Sequence, residues 1–252
     1  MAATSPERNP HDALLPSWRA IGTAFRTLTI LGPRRAALRV DASAVYYPIV
    51  GLAIGALWVA TDRMVSTVAG HVVASAVVVL VGAAVTRARG MLALGRTLAA
   101  LPSRRADRLA RLEGGATVGV SCAAFVAAAE FALLCALSRF RLAGLAFAPL
   151  LGSCAMVVLA VGSRAARADG RRLKFAPEVG FMEFGAASAA TFALVSLTSE
   201  FLGLLLVLST AVVTVGARVF FHRWLDGVND TAMLATGEAV QLLTLALLAA
   251  LS

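Results

Sequence analysis

The chain has 252 residues, of which 59% are apolar and only 15% charged, and its mean hydropathy is +0.82. A soluble domain of this size needs more polar residues to cover its surface. Apolar runs of roughly 15 to 22 residues recur along almost the whole chain, which excludes a soluble enzyme, a disordered chain and a β-barrel of alternating strands. The formal charge of +9 lies in short clusters between these runs and not on one basic face, so anionic lipid or anionic small substrates are the expected partners, and nucleic acid is not.

Residues 1–13 are rich in Pro, Ala and charge and predict a polar tail; no cleavable signal is expected, because the stretch that follows is interrupted by Arg19 and Arg26. From Leu14 to Leu31, Leu, Trp, Ile and Phe recur at helical spacing around those arginines, which predicts an amphipathic helix lying in the membrane interface. A basic turn with Pro33, Arg34, Arg35 and Arg39 completes this cytoplasmic region, residues 1–42. The transmembrane domain is expected over 43–252. Its first span, 43–61, carries Tyr46, Tyr47 and Trp58 near its ends, where amphipathic rings favour the headgroup level. Further spans are predicted at 67–85, 117–138, 142–163, 185–199, 201–217 and 233–251. The fold class is therefore an all-α polytopic membrane helix bundle of about seven transmembrane helices, six to eight allowing for boundary error. Cytoplasmic loops are expected at 86–116, 164–184 and 218–230.

Twenty of the 23 Lys and Arg residues fall in the N-terminal region and these three loops, leaving Arg63, Arg139 and Arg141 for the opposite side. Basic residues stay cytoplasmic, so the N-terminus is expected inside and the C-terminus outside. Cys122, Cys135 and Cys154 lie in apolar segments without pairing or ligand spacing and read as packing residues.

The sharpest polar signal is RWLDGVNDT, residues 223–231, just before the last span. On a helix, Asp226 and Asp230 share a face at i and i+4, and with Gly227 allowing close approach they can hold Mg²⁺ through oxygen ligands. The other reading is a polar loop in which Asp230 caps the final helix. Glu130, in the middle of the third span, is expensive at that depth, by about 2.5–3.5 kcal/mol on insertion scales for aspartate, and is expected to face the bundle interior with a partner. Glu238, two turns into the last span, is expected on the same cavity as Asp230. Arg87, Arg89, Arg96, Arg104, Arg105, Arg108 and Arg111 can grip phosphate through planar bidentate contacts, or serve as a topology signal beside anionic lipid. Arg167 and Asp169 belong to a similar set in the second loop, and His222 lies next to the aspartate pair.

Several segments recur together in one known order. They are AFRTLTILGP and YYPIVGLAIGAL near the start, ADRLARL and APLLGSCAMVVLA in the middle, Ala166-Arg167-Ala168-Asp169-Gly170, and LDGVNDT followed by Glu238. In that order they resemble cobalamin synthase, the integral membrane adenosylcobinamide-GDP ribazoletransferase of cobamide nucleotide-loop assembly, over most of residues 18–251. The resemblance implies a multi-pass protein of the bacterial inner membrane that joins α-ribazole or its phosphate to adenosylcobinamide-GDP with release of GMP. It implies Mg²⁺ as cofactor at Asp226 and Asp230, with Asp226, Asp230 and Glu238 as catalytic residues. Arg167 and Asp169 fall on a matching element, and with Arg87, Arg89 and Arg96, read from the charge of the first loop, they make the expected substrate-binding set; a homo- or hetero-oligomer with a cobamide-assembly enzyme is the expected partnership.

The chain departs from the family at the acid-rich stretch expected after the second span. Here it reads RARGMLALGRTLAAL, residues 87–101, with no carboxylate. The family's next element is replaced by EGGATVG, residues 113–119, and its fourth-span arginine by Ser153. Displacement at a multiply charged phosphorus depends on positioning and on Mg²⁺ neutralising the charge that develops, so this exchange produces an anion-binding but metal-poor surface. A catalytically silent relative, binding a cobamide precursor or serving as a membrane subunit, is the alternative. A transporter with Glu130 as its pathway residue ranks last, because neither an internal repeat nor a pair of broken helices is evident.

Overall fold

The computed structural model describes residues 18–30, 40–114, 116–164, 166–168, 171–172, 181–198 and 200–252. In chain order these form α1 (Trp18–Leu28), a 3₁₀ segment (Val40–Tyr46), α2 (Tyr47–Thr86), α3 (Arg89–Ala100), α4 (Arg105–Gly114), α5 (Ala116–Ala136) and α6 (Arg141–Ala160). There follow a two-stranded ribbon of β1 (Arg167–Ala168) and β2 (Arg171–Arg172), then α7 (Phe181–Thr198), α8 (Glu200–Leu225) and α9 (Asp230–Ala250). The tail 1–13 and Asp169 lie outside the described residues.

Among the described residues, five helices are long and apolar enough to cross a membrane, and the protein is an all-α polytopic bundle as expected. The two predicted spans 43–61 and 67–85 are the arms of α2, which leaves helical geometry at Gly70, with φ 79° and ψ 170°. Along one straight helix, residues 58 and 82 would stand about 36 Å apart. Instead a Cβ added at Gly82 would lie 2.8 Å from Trp58 Nε1, so the chain doubles back into a hairpin. Gly70 provides the positive φ that this reversal requires and that L side chains rarely adopt. With its arms counted separately, α2, α5, α6, α8 and α9 make six apolar crossings. The shorter α7, apolar over Ala187–Ser196, takes the place of the predicted fifth span. The stretch 86–116, read above as a loop, holds α3 and α4, and residues 218–225 are the last turns of α8.

The helix at the centre is α6, 72% buried, against 22–28% for α2, α5 and α8. It gains that position through backbone-to-backbone contact. A Cβ at Gly51 would fall 2.5 Å from Pro149 O, and one at Gly55 would fall 2.5 Å from Ala146 O. The Gly51/Gly55 pair in α2 is the small-xxx-small spacing that lets two membrane helices meet closely. On its other side α6 crosses α9, where a Cβ at Gly152 would come within 2.7 Å of Gly237 O.

At the Gly70 end of the bundle, Arg141 and Asp62 are 7% and 2% exposed and pair at 2.6 Å. The guanidinium also donates to Leu134 O at 2.7 Å, Ser75 Oγ at 2.9 Å and His71 O at 3.2 Å. One side chain thus joins both arms of α2, the end of α5 and the start of α6, with its donors matched. Removing one partner of a buried ion pair costs about 3–5 kcal/mol, because the other charge is stranded. Asp62→Ala is expected to lower unfolding stability in detergent by about that much, and the double variant Asp62→Ala/Arg141→Met by clearly less; equal losses would contradict this account.

Candidate functional site

The other end of the bundle gathers the loops. Val228 is fully buried; its N–H donates to Arg164 O at 2.8 Å, and its carbonyl accepts from Ala166 N–H at 2.9 Å. This short bridge fastens the loop after α6 to the loop before α9. Because β1 starts at Arg167, it brings the Arg167 backbone alongside the segment from Asp226 to Asp230. The Arg167 side chain and Asp169 fall outside what is described. The end of α8 strengthens the join: Arg218 Nη2 donates to Gly162 O at 2.8 Å, and His222 Nδ1 lies 2.9 Å from Arg218 O. With Nδ1–H donating to that carbonyl, Nε2 is free to accept from Arg164 N–H at 3.4 Å. His222 therefore braces the loop. Arg108 of α4 stacks on Trp224, 5.3 Å from its ring centre, and donates to Trp224 O at 3.2 Å.

Asp226 and Asp230 do not share a helical face. Asp226 is exposed and left-handed at φ 57°, just beyond the end of α8, and Gly227, Val228 and Asn229 separate it from α9. Asn229, not Asp230, caps the helix: its side chain accepts from Ala232 N–H at 2.8 Å. Asp230 is the exposed first residue of α9, near enough to the buried Tyr47 for their groups to interact electrostatically. A carboxylate there complements the positive end of the helix dipole.

Glu238 occupies a different place. Eight residues further along α9, about 12 Å up the axis, it is 8% exposed and lines a cavity of about 60 Å³ together with Trp58, Arg89, Ser153 and Gln241. Asp230 does not line that cavity, so the expected meeting of Glu238 with Asp230 is replaced by one with Glu130. Glu130 lies on the buried stripe of α5 with Ala123, Val126 and Leu134 and is fully buried, as expected of an acid at that depth. Gln241 Nε2 donates to Glu130 Oε1 at 2.7 Å, and the two glutamates interact electrostatically. Gln241 was not foreseen, although its i+3 spacing from Glu238 puts both on one face.

The arginines of 87–101 do not converge. Arg87 is exposed in the left-handed turn after α2, and Arg89 donates to Thr27 O at 2.8 Å from the cavity wall. Arg96 runs along α5, where a Cβ at Gly119 would lie 2.7 Å from its Cγ. In this chain α3 is a packing helix: its Gly95 meets the α5 backbone, and its Gly90 lies against the Glu238 carboxylate.

The interior of the cavity, about 60 Å³, has room for a few water molecules. On the loop face Asp226 and Asp230 are exposed carboxylates, and an octahedral Mg²⁺ would need one or two such groups beside water and phosphate oxygens. No group of three His, Cys, Asp or Glu that could hold a metal occurs among the described residues. The capping role yields a direct check: Asn229→Ala is expected to destabilise the protein by about 1 kcal/mol, Asp230→Ala by much less, measured by thermal unfolding in detergent.

Comparison with known proteins agrees with this architecture. A family model described as cobalamin-5-phosphate synthase matches residues 20–251. An adenosylcobinamide-GDP ribazoletransferase from Geotalea daltonii is 27% identical over 210 residues, covering 82% of this chain and 85% of the relative. No solved structure matches. A match over nearly the whole chain, on a bundle with its polar loops joined at one end, means that the protein belongs to the cobalamin-5-phosphate synthase family.

Proposed function

We propose that the protein is a ribazoletransferase of the cytoplasmic membrane, joining α-ribazole or its phosphate to adenosylcobinamide-GDP with release of GMP. The observation that carries this reading is the bridge from Val228 to Arg164 and Ala166, which holds the Arg167 element beside Asp226 and Asp230. An acceptor oxygen of the ribazole forms the new bond to phosphorus, and the bond to the departing GMP oxygen breaks. Asp226 and Asp230 would hold Mg²⁺, which when bound supplies positive charge to the phosphoryl oxygens. Arg167 is suited to bidentate contact with phosphate, and Arg164 and Arg87 are exposed cations available for the same purpose. The concentration of basic residues in the loops at this end supports a cytoplasmic N-terminus and delivery of substrate from that side.

One observation favours a second reading. The helix 89–100 presents glycine, alanine and arginine and no carboxylate, and Glu238, which its Gly90 meets, is buried. A silent relative that binds the precursor without turnover would have this character.

The two readings separate in one assay. Purified protein given adenosylcobinamide-GDP, α-ribazole and Mg²⁺ is expected to release GMP and form a cobamide. Asp230→Ala is expected to abolish the product, by at least a hundredfold, and chelation of the metal to do the same. Turnover unchanged in Asp230→Ala would overturn the site. No turnover, with precursor binding that survives Asp230→Ala and weakens on changing Arg87 or Arg167, would identify the silent relative.

A further inference from the structure

The two buried glutamates remain unexplained by chemistry on the loop face. Glu130 is fully buried in the middle of α5, and only one of its oxygens is matched, Oε1 by the Gln241 amide at 2.7 Å. Glu130 Oε2 and Glu238 Oε1 are both sealed from solvent and have no partner among the described residues. At the other end of the bundle the buried charges of Arg141 and Asp62 are matched by one another and by Ser75. A carboxylate held dry without a partner is among the most expensive arrangements in a membrane protein, and such groups are retained where they bind protons, ions or ligands.

We propose that Glu130, Glu238 and Gln241 form an intramembrane site for a small, largely dehydrated monovalent cation of the sodium type. The charges present select its valence. Of the pair, Glu238 lines the cavity beside Arg89, the one cationic side chain among its described lining residues, and Glu130 reaches it through Gln241; with both acids ionised, a single positive charge would be missing. The free oxygens sit on two helices, α5 and α9, and α3 closes over them where Gly90 lies against the Glu238 carboxylate. Hard cations take oxygen ligands, but Mg²⁺ keeps several waters and Ca²⁺ gathers six to eight oxygens, which two carboxylates and one amide do not provide. A monovalent ion sheds its water more readily. Trp58 Nε1, buried in the wall of the same cavity and unpartnered among the described residues, can donate to one water that turns its other lone pair to the ion. The cavity of about 60 Å³ has room for that water. An ion here would tie α5 to α9 directly below the start of the helix that carries Asp230. The site does not depend on the transferase reading.

Melting of the purified full-length protein in detergent tests this. Chloride salts of Li⁺, Na⁺, K⁺ and N-methylglucamine are compared at equal ionic strength and fixed pH. A saturable rise in melting temperature with one or more of the small ions, absent with N-methylglucamine, is expected. Glu130→Gln should weaken the apparent affinity at least tenfold. Should that variant fail to fold, binding of radioactive Na⁺ to the unaltered protein, displaced by unlabelled NaCl and not by N-methylglucamine chloride, provides the same evidence. Identical melting in all four salts together with no bound Na⁺ would overturn the proposal, as would stabilisation by MgCl₂ alone. An infrared carboxylic-acid band that disappears in Glu130→Gln and is unmoved by NaCl would assign the pair to a proton and reject the cation.

Discussion

Hydrocarbon contains no water to receive a stranded polar group, so a membrane bundle has to satisfy each one from within. That constraint governs most of this structure. Thr86, Thr97, Thr191, Thr214, Thr236 and Thr244 each donate to the carbonyl four residues earlier, which lets a hydroxyl sit in a buried helix without a distant partner. Arg141 is matched by a carboxylate, a hydroxyl and two carbonyls. Where the rule is kept, the helices approach as closely as glycine allows, at Gly51, Gly55 and Gly152, and α6 becomes an axle for the hairpin of α2 on one side and for α9 on the other. Among the carboxylates the rule is broken at Glu130 and Glu238, each of which keeps one buried oxygen without a partner among the described residues.

Two polar centres follow, about 12 Å apart along α9. The outer one is open and built from loop backbone: Val228 fastened to the loop after α6, Asn229 starting the helix, Asp226 and Asp230 exposed on either side of them. In the proposed reading it receives a large, charged, soluble substrate that brings its own phosphate oxygens. The inner one is small and acidic, and in the proposal above it takes an ion and a water. One helix carries both, and α3, which meets Glu238 at Gly90, lies in 87–101, a stretch without a carboxylate.

The outline of the bundle was legible in the sequence because apolar length reports directly on the bilayer. The hairpin at Gly70 appears there as two spans separated by a short polar gap, and Glu130 was placed correctly because charge at mid-span has only the interior to face. The fate of 86–116 was not legible. A run such as RARGMLALGRTLAAL reads as a basic loop by charge, yet its glycines at 90 and 95 let α3 lie flat on α9 and α5, and the partner surfaces come from residues far along the chain. The same limit applies to Asp226 and Asp230. Their spacing of four suggests a helical face, but a left-handed residue followed by Gly-Val-Asn ends one helix and caps the next. Asp62 and Arg141, 79 residues apart, look like ordinary charges at span ends until the fold joins them.

The central claim is that an open carboxylate at the start of α9 and a sealed one two turns later serve different purposes. Single-cysteine labelling tests it most directly, in a background where Cys122, Cys135 and Cys154 are replaced. With a membrane-impermeant maleimide, Asp230→Cys is predicted to react in inside-out vesicles and to be protected when the vesicles are right side out, whereas Glu238→Cys stays unlabelled in both. Equal labelling at the two positions, or a protected residue 230 in both orientations, would contradict the account.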